Sequence, residues 1–256
     1  MRSQSGSANN KATIERKINE IERVLSEAKQ QFPEAAFILF EESLFCEMMN
    51  RNPEAINTLR SAFDSNKGSP FIAVRLASLY ENAGKTDDAI KVLSDCIDIK
   101  PADRYTNFNL AMLFLKYHPE DTGTIKIHLK RSFSDGDSNY AAQFWYARLL
   151  YIENPFGEAK KYFDILGLAR VDPKIRDMTR GVITDNNKPI VFTGVVGTKE
   201  FSFGFIKRDG FQDSIFMHNS DIDYREWDEI KTGMRVQFEM GFSYRGAKGI
   251  NVKRET

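Results

Sequence analysis

The chain contains little cysteine and no long hydrophobic run. Its two cysteines, Cys46 and Cys96, are too few to staple 256 residues and lack the spacing of metal ligands, so we expect reduced thiols in a cytoplasmic protein. The longest apolar runs, such as residues 35–40, are much shorter than a membrane span. The polar N-terminus lacks the apolar core of a signal peptide, so no export is expected.

A net charge is also lacking. The 36 Lys and Arg residues balance the 36 Asp and Glu residues, so no global field draws the chain to DNA or to an anionic membrane. We expect no membrane partner, and any contact with nucleic acid must be local. The hydrophobic content of 41% is too high for a disordered chain and predicts globular domains, of which 256 residues accommodate two.

Motifs that mark catalysis are missing too. No glycine-rich loop ends in Gly-Lys-Ser/Thr between a strand and a helix, and no nucleophile accompanies a base at a diagnostic spacing. His118 and His128 are expected at the surface of a helical region rather than in a metal or catalytic site. The sequence therefore predicts a protein that is not an enzyme and that uses no cofactor or metal.

The N-terminal residues form a polar stretch followed by an amphipathic one. Residues 1–10 (MRSQSGSANN) have nothing to bury and are expected to form a disordered tail. In residues 11–31 apolar positions recur every three or four residues, which predicts an amphipathic helix that ends before Pro33. These positions are Ile14, Ile18, Ile21, Leu25 and Ala28. A homodimer through this helix stays open, although the stripe covers fewer than three heptads.

Residues 32–173 contain an internal repeat. Small residues recur with gaps of 34, 34 and 36 residues at Ser43, Ala77, Ala111 and Ala147. A parallel series, with gaps of 34, 36 and 34, runs through Ala55, Ala89, Ile125 and Ala159. Each unit is interpreted as two helices joined by a short turn, because small residues at these two places let paired helices approach closely.

This pattern resembles the tetratricopeptide repeat (TPR). The second unit matches it best, through Leu76, Ala77, Tyr80, Ala89, Leu93, Cys96 and Pro101. The resemblance implies an all-α solenoid of helical hairpins whose concave groove binds a protein or peptide; the alternative is that the array is only a spacer. From their positions on the helix faces, the residues expected in that groove are Tyr105, Asn109, Arg148 and Tyr151.

After residue 173 the helical period stops. Residues 174–188 are polar, end in Asn-Asn before Lys188, and are interpreted as a linker. Beyond them, short runs of β-branched and aromatic residues predict strands at 190–196, 201–207, 214–218, 234–240 and 249–253. Five short strands within residues 189–255 suit a small closed barrel. The predicted fold class is therefore α+β, a helical solenoid followed by a five-stranded β-barrel.

Alternation within the second and third of these strands carries the functional prediction. Phe201, Phe203 and Phe205 fall on one face of the second strand, and Phe216 and His218 share a face of the third. A barrel this small has room inside for one face of each strand, so we expect these rings outside. Clustered exposed rings are typical of surfaces that bind unstacked bases. The alternative is that the phenylalanines form the core.

The same residues resemble the cold-shock domain of bacterial cold-shock proteins over residues 189–255. The two ribonucleoprotein motifs of that family are matched by residues 201–206 (FSFGFI) and 215–219 (IFMHN). The resemblance implies an OB-fold barrel that stacks bases of single-stranded RNA or DNA. The implied stacking residues are Phe203, Phe205, Phe216 and His218, with Phe201 as an added ring and Trp227 in the long loop. Two rings of the family's first strand are missing near residues 197–199.

Few cations accompany these rings. Residues 189–256 contain ten Lys and Arg and ten Asp and Glu, which predicts modest affinity and a shallow salt dependence. The expected phosphate contacts are Lys199, Lys207, Arg208, Arg245 and Lys248. The first hypothesis is an adaptor that binds single-stranded nucleic acid through the barrel and a protein through the repeats. The alternatives are a scaffold with a degenerate, non-binding barrel, or the sensing part of a larger assembly.

Overall fold

A computed structural model of the chain describes residues 4–33, 35–134 and 136–255. The chain divides into two compact units, Met1–Ser132 and Phe133–Thr256. The division falls within the predicted repeats, so the fourth repeat belongs to the same unit as the barrel. No helix in the described part of the chain is long and apolar enough to cross a membrane.

Paired helices build the first unit. Its helices are α1 (Gln4–Gln31), α2 (Ala36–Met48), α3 (Asn52–Ser65), α4 (Pro70–Asn82), α5 (Thr86–Ile99), α6 (Arg104–Tyr117) and α7 (Thr122–Arg131). Helix α2 packs with α3, α4 with α5, and α6 with α7, as the repeat predicts. The repeated small residues of this unit are at most 3% exposed: Ser43, Ala55, Ala77, Ala89 and Ala111. Their burial confirms the helical-hairpin interpretation.

Helix α1 is longer than predicted. It begins at Gln4, so residues 4–10, expected in a disordered tail, are helical, and residues 1–3 lie outside the described residues. No proline interrupts the chain before Pro33, so the helical hydrogen bonding of the amphipathic stretch can continue upstream.

A closed barrel dominates the second unit. Its helices are α8 (Tyr140–Glu153), α9 (Ala159–Gly167), α10 (Pro173–Asp177) and α11 (Tyr224–Glu229). Its strands are β1 (Thr184–Asp185), β2 (Lys188–Pro189), β3 (Val191–Lys199), β4 (Phe203–Arg208), β5 (Ser214–His218), β6 (Arg235–Ser243) and β7 (Gly246–Arg254). The barrel closes in the order β3-β4-β5-β7-β6, with β5 and β7 parallel and the other pairs antiparallel. The predicted five-stranded barrel is confirmed.

The segment 174–188, predicted as a linker, is built into this unit. It contains α10 and the β1–β2 hairpin, whose turn residues Asn186 and Asn187 have φ angles of 47° and 61°. Two successive positive φ angles are typical of a tight hairpin turn, which asparagine tolerates. The backbone N–H of Arg180 donates to the carbonyl O of Phe242 at 2.8 Å, and Phe242 N–H donates back at 2.8 Å. The segment is therefore hydrogen-bonded to β6.

The last repeat covers one side of the barrel. The ring of Phe163 in α9 stacks on that of Phe242 in β6, with centroids 6.2 Å apart and an interplanar angle of 9°. In α8, Phe144 lies 5.6 Å from Tyr244 and Tyr151 lies 5.5 Å from Phe242, centroid to centroid. Phe242 and Tyr244 are consequently buried. These helices and the barrel share one aromatic core.

Candidate nucleic-acid interface

The exposed face of β4 carries two of the predicted rings. Phe203 and Phe205 are 38% and 37% exposed, whereas Gly204 and Ile206 between and after them are buried. The side chain of Ile206 lies in the barrel interior because a strand directs alternate residues to opposite faces. This burial pattern confirms the prediction that the phenylalanines lie outside and shows that the alternative, a phenylalanine core, is wrong.

Strand β5 continues this face. Ile215 and Met217 are fully buried, while Phe216 and His218 are half-buried on the outer side. The antiparallel register of β4 and β5 sets Phe203 opposite His218 and Phe205 opposite Phe216. Directly opposed residues in neighbouring strands have side chains close enough to touch.

The four rings form one continuous cluster, which we call the ring platform: Phe203, Phe205, Phe216 and His218. The ring centroids of Phe203 and Phe216 are 6.2 Å apart, and the two rings are nearly parallel, with an interplanar angle of 22°. Phe205 meets both of these rings edge-on, at 6.2 Å and 5.7 Å. His218 extends the cluster, with its centroid 6.3 Å from that of Phe216 and an interplanar angle of 30°. The platform is held by strand pairing and by ring packing.

The orientation of the His218 ring is fixed by its neighbours. Its Nδ1 accepts a hydrogen bond from the backbone N–H of Ser220 at 3.2 Å and lies 2.8 Å from the hydroxyl Oγ of the same residue. Because Nδ1 is an acceptor, the neutral imidazole carries its proton on Nε2. The platform therefore includes one ring that can donate a hydrogen bond.

Phe201 lies just before the platform in the turn between β3 and β4. Its side chain is 93% exposed. The turn is closed by a hydrogen bond of 2.7 Å from the Glu200 N–H to the Phe203 carbonyl, and Asn219 N–H donates to the Ser202 carbonyl at 2.9 Å. Phe201 is thus a fully available ring beside the four of the platform.

Trp227 does not add a stacking face, contrary to the prediction. It is 5% exposed, its Nε1–H donates to the carbonyl O of Phe201 at 3.2 Å, and the Lys199 Nζ lies 4.6 Å from the centroid of its ring. Helix α11 turns this side chain inward together with the buried Ile222 and Ile230 that flank it in the loop. Trp227 anchors the turn that presents Phe201.

Three of the predicted phosphate contacts are engaged within the protein. Lys248 is 7% exposed and its Nζ lies 2.7 Å from Asp221 Oδ2, so it cannot reach a phosphate. Arg208 is buried, with its Nη2 2.8 Å from Oδ2 of Asp213. The third, Arg245, is exposed but pairs through Nε with Asp177 Oδ1 at 2.7 Å. Parallel strand pairing places Lys248 beside β5, which single-strand periodicity does not reveal.

The remaining predicted cations are Lys199 and Lys207. Lys199 is half-buried above Trp227. Lys207 is exposed and lies on the same face of β4 as Phe203 and Phe205, two residues beyond the latter. On the exposed face of β4, Lys207 is therefore the cation that accompanies the platform.

Arg148 and Tyr151, predicted in the partner groove, instead hold the barrel. The Nε–H of Arg148 donates to the Gly181 carbonyl at 2.8 Å, and burial lowers the pKa of this guanidinium to about 10. The hydroxyl of Tyr151 donates to Asp213 Oδ2 at 2.6 Å, and burial, followed by this hydrogen bond, raises the pKa of the phenol. Both residues lie on the side of α8 that the barrel covers.

The first unit exposes a periodic set of three aromatic rings, of which only that of Tyr105 is predicted from the sequence. Tyr105 is 57% exposed, and at the two positions 34 residues apart before it Phe71 is 58% and Phe37 is 72% exposed. Each is the second residue of its helix, α6, α4 and α2. We call these three residues the aromatic ladder. The groove candidate Asn109 donates through Nδ2 to the Tyr105 carbonyl at 2.8 Å.

Charges on the same helices are paired between repeats. Arg75 of α4 forms an ion pair with Glu47 of α2. Lys116 of α6 binds Glu81 of α4, with Nζ 2.8 Å from Oε1. Glu47 and Glu81 are themselves 34 residues apart, so the repeat carries an equivalent acid at successive positions. Each of these two pairs balances a base on one helix against an acid on the helix before it.

Comparisons with known proteins agree with the barrel assignment. The family model of the 'Cold-shock' DNA-binding domain matches residues 192–255, which confirms the resemblance of the barrel to that domain. No curated protein matches the chain. Similar solved structures include MamA (15% identity, covering 60% of this chain and 89% of that one, TM-score 0.47) and pilF of Pseudomonas aeruginosa (15%, 62%, 72% and 0.48). Another is YrrB, described as a TPR protein with an unusual peptide-binding site (14%, 56%, 73% and 0.47).

Proposed function

We propose that the chain is a nucleic-acid-binding adaptor. In this proposal the ring platform binds single-stranded RNA or DNA by base stacking, and the helical repeats bind a protein partner. The observation that carries the first part is the cluster of neighbouring exposed rings on β4 and β5. The matched family model, named for DNA binding, supports the same class of ligand.

Stacking is the main source of affinity in this proposal. Each base stacked on an aromatic side chain contributes about 1–3 kcal/mol by alanine substitution. Because Lys207 is the cation on the platform's own strand face, phosphate contacts are few, and each adds only about 0.7 to the slope of log K against log salt. Binding is therefore expected to be modest and to depend weakly on salt.

The experiment is fluorescence anisotropy of the full chain with labelled single-stranded RNA and DNA of matched sequence. Oligonucleotides of roughly 8–12 nucleotides fit the site size of an OB fold. The double variant Phe203→Ala, Phe216→Ala is expected to weaken binding at least about tenfold, since tenfold corresponds to about 1.4 kcal/mol and two stacking rings are lost. Comparison of the two oligonucleotides shows whether the ribose hydroxyl matters.

A matched control is Tyr224→Ala. This ring is 65% exposed and lies on α11, outside the two strands that carry the platform, so its removal should leave the affinity unchanged. Failure of the folded parent chain to bind either oligonucleotide at low salt would contradict the proposal. The scaffold with a non-binding barrel would then be the better hypothesis.

The aromatic ladder supports the second part, a protein partner. Helices α2 and α4 are in contact, since the rings of Phe40 and Phe71 lie 4.3 Å apart, centroid to centroid. Packed helices are about 8–10 Å apart, so one exposed ring per repeat offers an extended peptide a regular series of apolar sites. Paired charges on the same helices favour an uncharged apolar stretch over an acidic tail.

This part is tested with a partner first captured by the full chain and then purified. Calorimetry should show loss of its binding to the double variant Phe71→Ala, Tyr105→Ala. The platform double variant should bind that partner as tightly as the parent does. A partner that binds the ladder variant with unchanged affinity would show that the ladder is not its site.

A further inference from the structure

Helix α1 presents several apolar side chains to solvent. Ile18 and Leu25 are half-buried, whereas Ile14, Ile21 and Val24 are 58%, 39% and 50% exposed. Positions 14, 21 and 24 follow the seven-residue pattern of a helix that pairs with another helix. Isolated exposed apolar residues are ordinary, but a stripe of them along one helix is typical of an interface.

This stripe borders a groove between α1 and α2. The groove has a volume of about 610 Å³. Its apolar lining consists of Ile21, Val24, Leu25, Ala28, Phe37 and Ile38. Apolar grooves of this kind accept the apolar face of an amphipathic helix.

We propose that the occupant is helix α1 of a second copy of this chain, running antiparallel to the first. In a two-fold dimer the same surface patch of each copy forms the interface. The apolar stripe on α1 of one copy can therefore occupy the groove of the other, and the reverse contact forms by symmetry. This self-association goes beyond the proposed function, because it needs no nucleic acid and no second protein, and its groove shares Phe37 with the aromatic ladder.

Charge decides the orientation. The charged residues that line the groove are Lys17, Glu20 and Glu41. An antiparallel pair that sets Ile14 opposite Val24 of the second copy brings Lys17 beside Glu20 of that copy, twice by symmetry. A parallel pair would instead set Lys17 against Lys17 and residues 11–18, which carry three bases and one acid, against the same residues, and like-charge repulsion disfavours this.

Charge also matches the groove to the helix that fills it. The groove carries two acids and one base. Residues 11–18, the part of α1 that an antiparallel partner places in this groove, carry three bases and one acid. The stripe from Ile14 to Ala28 covers about two heptads, so the dimer is weak and forms with rising concentration.

Sedimentation velocity of the full chain over a dilution series tests the association. We expect the mass to rise from 29.3 kDa toward twice that value with concentration. The double variant Ile21→Asp, Val24→Asp should stay monomeric and keep the parent circular dichroism, because both side chains are exposed. The control Tyr105→Ala, in the ladder but outside the groove, should associate as the parent does. A parent that stays monomeric throughout, or an Asp variant that still dimerises, overturns the proposal.

A charge exchange tests the contact between residues 17 and 20 of the two copies independently of folding. Lys17→Glu and Glu20→Lys, each alone, should lose self-association, because like charges then meet across the interface. Mixed together, the two variants should form a heterodimer, because every Glu at 17 or 20 then faces a Lys of the other chain. A mixture that remains monomeric while the parent dimerises would overturn the proposed contact between residues 17 and 20 of the two copies.

Discussion

Gly204 shows how one absent side chain sets the spacing of three strands. A Cβ at this position would lie 2.6 Å from the carbonyl O of Thr198 in β3 and 2.5 Å from Cε of Met217 in β5. The carbonyl belongs to the backbone and cannot move aside cheaply. The glycine therefore lets β4 lie close to both neighbours, and this closeness brings Phe203 and Phe205 beside Phe216.

Gly204→Ala is expected to destabilise the second unit by about 1–3 kcal/mol, the usual cost of overpacking a core. Denaturant unfolding of the full chain measures this loss. Gly197→Ala is the control, since its Cβ would meet no atom closer than 3.4 Å, and it should cost less than about 1 kcal/mol. Equal stability of the two variants would contradict the packing argument.

Tyr151 supports the barrel through one hydrogen bond. Its hydroxyl donates to Asp213, whose carboxylate is 7% exposed and also pairs with the buried Arg208. Tyr151→Phe keeps the ring but removes a donor from a buried charge, so we expect a loss of about 1–3 kcal/mol in the unfolding free energy. Tyr224→Phe, at an exposed position, should change stability little. Similar unfolding midpoints for both variants would show that the bond contributes nothing net.

At the scale of elements, periodicity predicts the features that depend on the spacing of nearby residues, namely which segments form helices and which face of a strand is exposed. The 34-residue repeat predicts the paired helices, and the alternation of β4 predicts which phenylalanines face solvent. The burial of Trp227 and of Lys248 depends on partners far away in the sequence. Trp227 binds the carbonyl of Phe201 and Lys248 pairs with the carboxylate of Asp221, and no local pattern reveals either contact. The Asn-Asn pair of the predicted linker indicates a turn. The sequence does not show that the segment around this turn is hydrogen-bonded to β6.

The junction of α6 and α7 is expected to weaken in acid. His128 Nδ1 lies 2.8 Å from Oδ1 of the buried Asn107, and burial, followed by repulsion from Arg131, lowers the pKa of the imidazole. The folded state then binds the proton less readily than the unfolded chain does. Stability should therefore decrease as the pH falls from about 6.5, the ordinary histidine value, to the lower folded pKa.

Thermal unfolding of the first unit between neutral and mildly acidic pH checks this dependence. His128→Gln, which cannot titrate, should show a smaller decrease over the same range. A His128 variant that loses as much stability in acid as the parent would assign the effect to other groups.

At the scale of the whole molecule, the barrel and the last helical hairpin form one folding unit. Phe242, near the end of β6, and Tyr244, in the turn that follows it, are 0% and 5% exposed, because Phe144 and Phe163 of α8 and α9 cover them. An independent barrel joined by a flexible linker would present polar residues at these positions. These two aromatic residues thus indicate that the sheet requires its helices.

A segment limited to residues 186–256 is therefore expected to be much less stable than residues 133–256. Removing α8 and α9 exposes two aromatic side chains, each worth about 1.5–3 kcal/mol when buried, and leaves Asp213 without the Tyr151 hydroxyl. Thermal unfolding of the two segments, with binding of an apolar dye as a second measure, makes the comparison. The shorter segment should melt lower and bind more dye, whereas equal midpoints would show that the barrel folds on its own and that the covering helices contribute little to it.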